Sequence, residues 1–293
     1  MTADLDPAPT KTHRDENFPV ASQLIAARHR PTILAFYQFV RAADDIADSP
    51  RLSSEEKLTA LDRFEAALLG KEDDIAAARP LRAILAERKL SPRHALDLLH
   101  AFRMDAVKQR YANFDELMLY CAYSAAPVGR FVLDVHGESE QTWHASDALC
   151  SALQIINHLQ DCAEDYRNLD RVYIPLDALQ REGIGTEALA AAQASPALLA
   201  CLHKLAARTG DLVQIGQELP RHVQDLRLGL ETTVIARLAR ILVNGLRRKD
   251  PLCEKVHLSK PGFLAWTLVG VAEGLALRTR RSGARRVMSG KGA

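Results

Sequence analysis

Two Asp-x-x-x-Asp pairs lie more than a hundred residues apart in this chain, each inside an apolar run with helical spacing. The first is Asp44 and Asp48, in Arg41-Ala-Ala-Asp44-Asp45-Ile-Ala-Asp48. The second is Asp161 and Asp165, in Gln154-Ile-Ile-Asn157-His-Leu-Gln-Asp161-Cys-Ala-Glu-Asp165. An i, i+4 spacing stacks two carboxylates on one helix face, one turn apart, where like charges weaken the helix. A chain that carries this cost twice implies a cation that needs both pairs. Mg²⁺ fits, because it takes a few carboxylates and fills its other positions with water and phosphate oxygens. The fold must then bring the two helices face to face across a bundle core, as helix bundles do when they build metal sites.

Composition narrows the class. The chain has 293 residues, 47% hydrophobic and 26% charged, with a formal net charge of +1 that makes no case for a nucleic-acid partner. Alanine and leucine dominate, which favours helix. The cysteines, Cys121, Cys150, Cys162, Cys201 and Cys253, are scattered and odd in number, the pattern of reduced thiols in a cytoplasmic protein. Residues 1–16 are polar and read as a loose tail rather than a targeting signal. The apolar stretch 263–277 is shorter than the ~20 residues of a spanning helix and contains Glu273. It reads as a core or membrane-surface helix. After Glu273 the chain carries arginines and Lys291 but no acid, either a solvated end or a patch for anionic lipid headgroups.

Helix starts are well marked. Pro31 opens the run with the first pair, Ser53-x-x-Glu56 is a capping box, and Ser91-Pro92 and Ser195-Pro196 are N-cap and first-position proline pairs. Asn113 or Asp115 caps the next run, and Ser146 or Asp147 the one after. A long helix begins near Leu226 and is closed by Pro251, and Pro261 starts the last. Strand-like alternation is absent over any useful length. The expectation is an all-α, single-domain protein of eight to ten helices. Tyr120-Cys-Ala-Tyr-Ser124-Ala-Ala-Pro127-Val-Gly129 predicts a helix interrupted midway, with Pro127 removing a donor and Gly129 relaxing the chain.

On the second motif, Gln154, Asn157, Asp161 and Asp165 follow steps of three, four and four, a polar stripe on one helix face. Leu149, Leu153, Ile156 and Leu159 fall on a different arc. The first motif offers Tyr37, Arg41, Asp44 and Asp48 on one face, with Arg41 able to steady carboxylates or hold a diphosphate oxygen. Asp45 and Glu164 read as solvated. Arg171-Val-Tyr173-Ile-Pro175 reads either as a helix exit or as a lid that carries Arg171 to a diphosphate. His100, His136 and His158 read as packing or surface groups, and Cys162 as core. Phe18, Tyr123 and Phe131 are candidates for a tunnel lining.

These residues resemble the squalene/phytoene synthase family, which joins or processes isoprenoid diphosphates head to head. The resemblance rests on Tyr37-x-x-x-Arg41-x-x-Asp44-x-x-x-Asp48 and on Gln154-x-x-Asn157-x-x-x-Asp161-x-x-x-Asp165 followed by Arg171-Val-Tyr173-Ile-Pro175, and spans residues 17–175 with specific motifs. Glu16-Asn-Phe18-Pro-Val-Ala-Ser22, Ser124-Ala-Ala-Pro127-Val-Gly129-Arg130 and Leu159-Gln160-Asp161 resemble the hydroxysqualene-forming branch of bacterial hopanoid pathways. In the last of these many relatives carry arginine where Gln160 stands.

The resemblance implies a class I isoprenoid synthase helical bundle with a central cavity. It implies a tail over residues 1–16, a synthase domain over 17–278 and a basic, flexible tail over 279–293. The implied activity is Mg²⁺-dependent ionisation of presqualene diphosphate and water capture to give hydroxysqualene. Asp44, Asp48, Asp161 and Asp165 would hold the metal and carry catalysis. Phe18, Tyr37, Arg41, Gln154, Asn157, Arg171 and Tyr173 would bind the isoprenoid diphosphate, with no organic cofactor. A sister presqualene diphosphate synthase, peripheral contact with the inner membrane and a cytoplasmic site follow from the same resemblance. Two enzyme readings compete: another head-to-head synthase making presqualene diphosphate, squalene or phytoene, and a chain elongase or terpene cyclase, since Asp44-Asp45-x-x-Asp48 also spells DDxxD. A non-catalytic scaffold is the reading from another class, and the intact acid pairs speak against it.

Overall fold

The computed structural model describes residues 24–289, with side chains through Thr279. Phe18 and the rest of the 16–22 segment lie outside the described residues. Within them the helices are α1 (Arg30–Ala47), α2 (Ser54–Leu68), α3 (Ala78–Arg88), α4 (Arg93–Val107), α5 (Phe114–Ser124), α6 (Ala126–His136), α7 (Trp143–Gln160), α8 (Cys162–Leu169), α9 (Leu176–Arg181), α10 (Pro196–Gly216), α11 (Leu219–His222), α12 (Leu226–Leu246) and α13 (Lys260–Ser289). The described residues contain no strand beyond an isolated parallel bridge between Arg110 and Val172. The all-α class is as expected, but thirteen α-helices exceed the eight to ten predicted. Two long runs are broken, at Ala125 ahead of Pro127 and at Asp161, and α9 and α11 are short.

Local chemistry explains most boundaries. Ser53 and Glu56 form the reciprocal capping box. Asn113, Ser195 and Asp225 each accept an N–H from the first turn of α5, α10 and α12. Two starts differ from the sequence reading. Pro92 rather than Ser91 occupies the α4 N-cap, while Ser91 Oγ accepts the Arg93 N–H at 3.1 Å. Helix α7 begins at Trp143, because a 3₁₀ turn capped by Ser139 runs straight into it. Ser146 is therefore buried mid-helix, and Asp147 grips Arg130 through two bonds of 2.9 and 2.5 Å. The backbone of α13 stays helical through Ser289, well into the stretch expected as a tail. Among the described residues no helix is long and apolar enough to cross a membrane.

Two apolar clusters hold the bundle together. One joins α1 to α4 around Phe39, Leu61 and Leu81; the other runs from α5 to α12 around Ile155, Ile156 and Leu202. Val132 of α6 packs against both. Arg88 reaches Thr32 near the start of α1 and the Val135 carbonyl near the end of α6, just before α7 begins. Glu138 accepts the N–H groups of Gln224 and Asp225 at the start of α12. At the other end, Gly245 packs on Val256, whose carbonyl accepts from Gln160 at the end of α7. The helices α1, α7 and α12 thus run the same way, and their carboxyl ends share one end of the bundle.

Gly129 has a different reason from the one read in the sequence. A Cβ there would press into Ser146 Oγ and Cys150 Sγ, so the residue permits close approach of α6 to α7. Gly129→Ala should lower the urea-unfolding free energy by about 1–3 kcal/mol, the usual cost of overpacking. Adding Cys150→Ala should return part of the loss. Wild-type stability in the single variant would show that the two helices separate freely.

Candidate active site

Helix α1 buries Phe36, Phe39, Ala43 and Ile46 in the core and turns Tyr37, Arg41, Asp44 and Asp48 toward the interior of the bundle, where they are half-buried. Asp48 is its C-cap, and its N–H bonds the Asp44 carbonyl at 2.9 Å. Arg41 Nη1 donates to Asp44 Oδ2 at 2.9 Å and Nη2 to Asp45 Oδ1 at 2.6 Å. Asp45, read as solvated, is held in this fork with only 8% of its side chain exposed. Burial works against the Arg41 charge, but Asp44 and Asp45 outweigh it and raise its pKa.

The second motif is not one continuous helix. The α-helix ends at Gln160, Asp161 bends the chain, and α8 starts at Cys162. The turn still closes, since Asp161 N–H bonds the Asn157 carbonyl at 2.9 Å and Asp165 N–H bonds the Asp161 carbonyl at 2.8 Å. Gln154 Nε2 lies 3.1 Å from His158 Nε2, and Asn157 and Asp161 are half-buried. His158 stacks on Tyr173 with ring centres 3.6 Å apart. Burial, helped by Arg171, lowers the His158 pKa to about 3, so its ring is neutral and its 4.0 Å approach to Asp165 is not an ion pair. Glu164 is exposed, as expected, and Cys162 is buried.

Arg171 joins the motifs. The chain leaves α8 through Asp170, in the left-handed region with φ 50°, and Val172, Leu176 and Asp177 bond back to Gln109, Tyr111 and Ala112. Arg171 Nη1 donates to Asp48 Oδ1 at 2.5 Å, and Nη2 to the Ala47 carbonyl at 3.1 Å. Its side chain is 7% exposed, so this segment is a tied-down wall rather than an outer lid. Tyr173 is buried, and its hydroxyl donates to Asp105 Oδ1 at 3.1 Å, while Tyr120 donates to Asp105 Oδ2 at 2.7 Å.

Asp105 and Lys57 are missing from the sequence reading. Asp105 is 4% exposed, and burial raises its pKa to about 6 against the pull of Arg171. Its signal was present: Leu98, Phe102 and Asp105 follow steps of four and three, so the acid lies on the buried face of α4. Lys57 of α2 has a lowered pKa from burial and from Arg171, with Asp48 and Asp105 acting in opposition. Nothing in its local sequence marks it, because its place depends on how α2 packs.

The carboxylates share one recess. Asp44 keeps 31% of its side chain accessible, yet burial, then Asp48, raise its pKa to about 7. Burial, then Asp161, raise Asp165 to about 7, with Asp48 adding to the repulsion. Asp48 acting on Asp165 puts the two motifs within electrostatic reach of one another. Asp48 and Asp161 also cap the carboxyl ends of α1 and α7, where the helix dipole is negative. Among the described residues no three acidic, histidine or cysteine groups enclose a metal position, and Asp44 and Asp48 are instead held by Arg41 and Arg171.

Toward the amino ends of the same helices lies an apolar cavity of about 220 Å³. Its walls include Ile33 of α1, Val128 and Val132 of α6, Leu149 and Leu153 of α7, and Leu228 and Ile235 of α12. Leu153 precedes Asn157 by one turn, so one face of α7 runs from cavity wall to polar stripe, while Leu149, Ile156 and Leu159 are buried in the core as expected. Phe131 stacks on Phe36 at 3.9 Å in the core, and Tyr123 packs beside His100 at 4.5 Å; neither lines this cavity. Gln160 turns away, donating to the Val256 carbonyl.

The squalene/phytoene synthase family model matches residues 11–262. The chain belongs to that family. It is 57% identical to a hydroxysqualene synthase of Rhodopseudomonas palustris over 254 residues, 87% of each chain. It is 53% identical to one of Sinorhizobium fredii over 285 residues, 97% of this chain and 98% of that one. Among solved structures, squalene synthase HpnC from Alicyclobacillus acidocaldarius superposes with a TM-score of 0.72 at 30% identity, covering 81% of this chain and 90% of that one. A dehydrosqualene synthase in complex with ligand gives 0.76 at 23% identity, over 88% and 92% of the two chains, and shares the fold.

A carboxyl whose pKa is raised on folding is stabilising below its unfolded pKa and loses that contribution as pH rises through its folded value. For Asp165 the window runs from the usual carboxylate range to about 7. Asp165→Asn should therefore match wild type near pH 4 and be more stable at pH 8 without added metal. The expected gain is about 2 kcal/mol, roughly half the full shift, since the group keeps 20% exposure. Thermal unfolding across pH reads this directly; a gain that does not grow with pH would dismiss the raised pKa of Asp165.

Proposed function

We propose that this chain converts presqualene diphosphate to hydroxysqualene and diphosphate, in a single catalytic unit over residues 17–278. What supports this reading is the two acid pairs within electrostatic reach of one another, with Arg171 bonded to Asp48 of the first, at the opposite end of the helices from an apolar cavity. The names of the R. palustris and S. fredii relatives support it.

Asp44, Asp48, Asp161 and Asp165 would hold Mg²⁺. The fit rests on their chemistry: hard oxygen donors, with Asp44 and Asp165 raised to about 7 by burial first and by the neighbouring carboxylates second, both of which a divalent cation offsets. When bound, the metal supplies Lewis-acid stabilisation of the leaving diphosphate. Arg41, Arg171 and Lys57 add fixed positive charge where the diphosphate oxygens become more anionic. Tyr37, Gln154, Asn157 and Tyr173 orient the polar end of the substrate, and Phe18 is a further substrate-binding candidate from the sequence. Asp105 fixes the Tyr173 hydroxyl. The apolar walls from Ile33 to Ile235 receive the hydrocarbon chains and keep water away from the carbocation until one water adds as hydroxyl and gives up a proton.

No step in this sequence requires a hydride donor. The substrate would come from a sister synthase that joins two farnesyl units. Its long chains suit a protein at the cytoplasmic surface of the inner membrane, and the free cysteines agree with that compartment.

Presqualene diphosphate incubated with the chain and Mg²⁺, without NADPH, should yield hydroxysqualene by mass spectrometry. Untouched substrate, or phytoene made from geranylgeranyl diphosphate, would reject the assignment in favour of another head-to-head synthase. Asp44→Asn and Asp161→Asn should each cut turnover by about 10²–10³-fold while leaving circular dichroism unchanged. A variant with wild-type turnover would remove its carboxylate from the site.

A further inference from the structure

One buried ionisable side chain beside the acid pairs has no part in the proposed reaction. His158 is 8% exposed, and its ring is held in place: it stacks on Tyr173 at 3.6 Å and lies 6.1 Å from the Tyr120 ring. Both tyrosines are bonded in turn to Asp105, which fixes the plane of the imidazole. Its two nitrogens face different neighbours. Nδ1 lies 4.0 Å from Asp165 Oδ2, which favours the ring proton on that side. In a neutral ring the other nitrogen, Nε2, is then the acceptor, and the Gln154 amide nitrogen meets it at 3.1 Å.

That bond orients the Gln154 side chain. With its amide nitrogen turned to His158, Gln154 presents its oxygen on the other side, and that oxygen bonds to none of the described residues. The second N–H can still meet a substrate oxygen. The carbonyl cannot, because a diphosphate offers acceptors alone. It suits an O–H donor, and water is the donor that the proposed reaction consumes. Position along α7 agrees. Leu149 and Leu153 line the apolar cavity, while Asp161 comes about two turns, or roughly 10 Å, after Gln154. Gln154 therefore stands where the hydrocarbon space gives way to the acids, the level at which a bond between diphosphate and chain would break.

We infer that Gln154 holds the water that captures the carbocation, and that His158 is a positioning residue that turns the Gln154 carbonyl toward this water. The inference rests on the proposed conversion of presqualene diphosphate. When the carbon–oxygen bond of the substrate breaks, its electron pair leaves with the diphosphate. The water donates one O–H to Gln154 Oε1 and forms the new carbon–oxygen bond with a lone pair. The proton of its other O–H passes to a diphosphate oxygen, so the products are hydroxysqualene and protonated diphosphate.

The test incubates the full chain with presqualene diphosphate and Mg²⁺, without NADPH, and measures hydroxysqualene against diphosphate released. Wild type should give similar amounts of the two. His158→Phe keeps an aromatic ring against Tyr173 but removes the acceptor. Its ratio of alcohol to diphosphate should fall roughly tenfold, the scale of one lost hydrogen bond, with the deficit appearing as hydrocarbon formed by loss of a carbon-bound proton. His158→Gln, which offers an acceptor again, should recover most of the ratio. Gln154→Leu should lower it as His158→Phe does, and it carries the test if circular dichroism shows His158→Phe unfolded. A packing role would slow diphosphate release and leave the ratio alone. That result in both variants would overturn the inference, as would a His158→Gln ratio no better than that of His158→Phe. Wild type that releases no diphosphate would remove the proposed reaction itself; the same ratio from wild type and variants would remove only the roles of Gln154 and His158.

Discussion

Negative charge collected at the carboxyl ends of parallel helices is the constraint on which this molecule turns. The backbone dipoles of α1 and α7 already place partial negative charge there, and Asp48 and Asp161 cap those ends with carboxylates. Each has a second acid one turn back or one turn on, and Arg171 bonds Asp48 of the first pair. Such an arrangement is unfavourable for the helices taken singly and for the bundle as a whole. It persists because apolar packing on the opposite faces, through Phe39 and Ala43 on α1 and Ile155, Ile156 and Leu159 on α7, fixes both helices regardless of what their polar faces carry.

The same parallel course divides the interior lengthwise. Near the carboxyl ends α1 and α7 offer acids, amides and arginine; toward the amino ends α1, α7 and α12 present Ile33, Leu153 and Ile235 to an empty apolar space. A molecule with a charged head and long hydrocarbon chains meets both environments in order. The polarity comes from helix direction rather than from any loop, so it is as rigid as the core. Asp105, with its two tyrosine donors, ties α4 to α5 and to the 171–176 segment.

Much of this was legible from residue spacing. The acid pairs, the stripe from Gln154 to Asp165 and the interruption before Pro127 depend on neighbours within a few residues, and local chemistry decides them. Contacts formed between elements were less accessible. Asp45 looked like a surface acid until Arg41 was seen to grip it, and Arg171 looked like a lid until its guanidinium was found buried on Asp48. Lys57 carried no local mark at all, since only the packing of α2 brings its amine to the site. Gly129 signalled a special position, but the reason was the approach of α7 rather than chain relaxation.

The break in the second helix has a mechanical meaning. With Asp161 ending one rod and Cys162 beginning the next, the spacing of the second acid pair is set at a joint instead of by the fixed pitch of a single cylinder. The bend places Asp165 on α8, whereas Asp44 lies within α1 and Asp48 caps it.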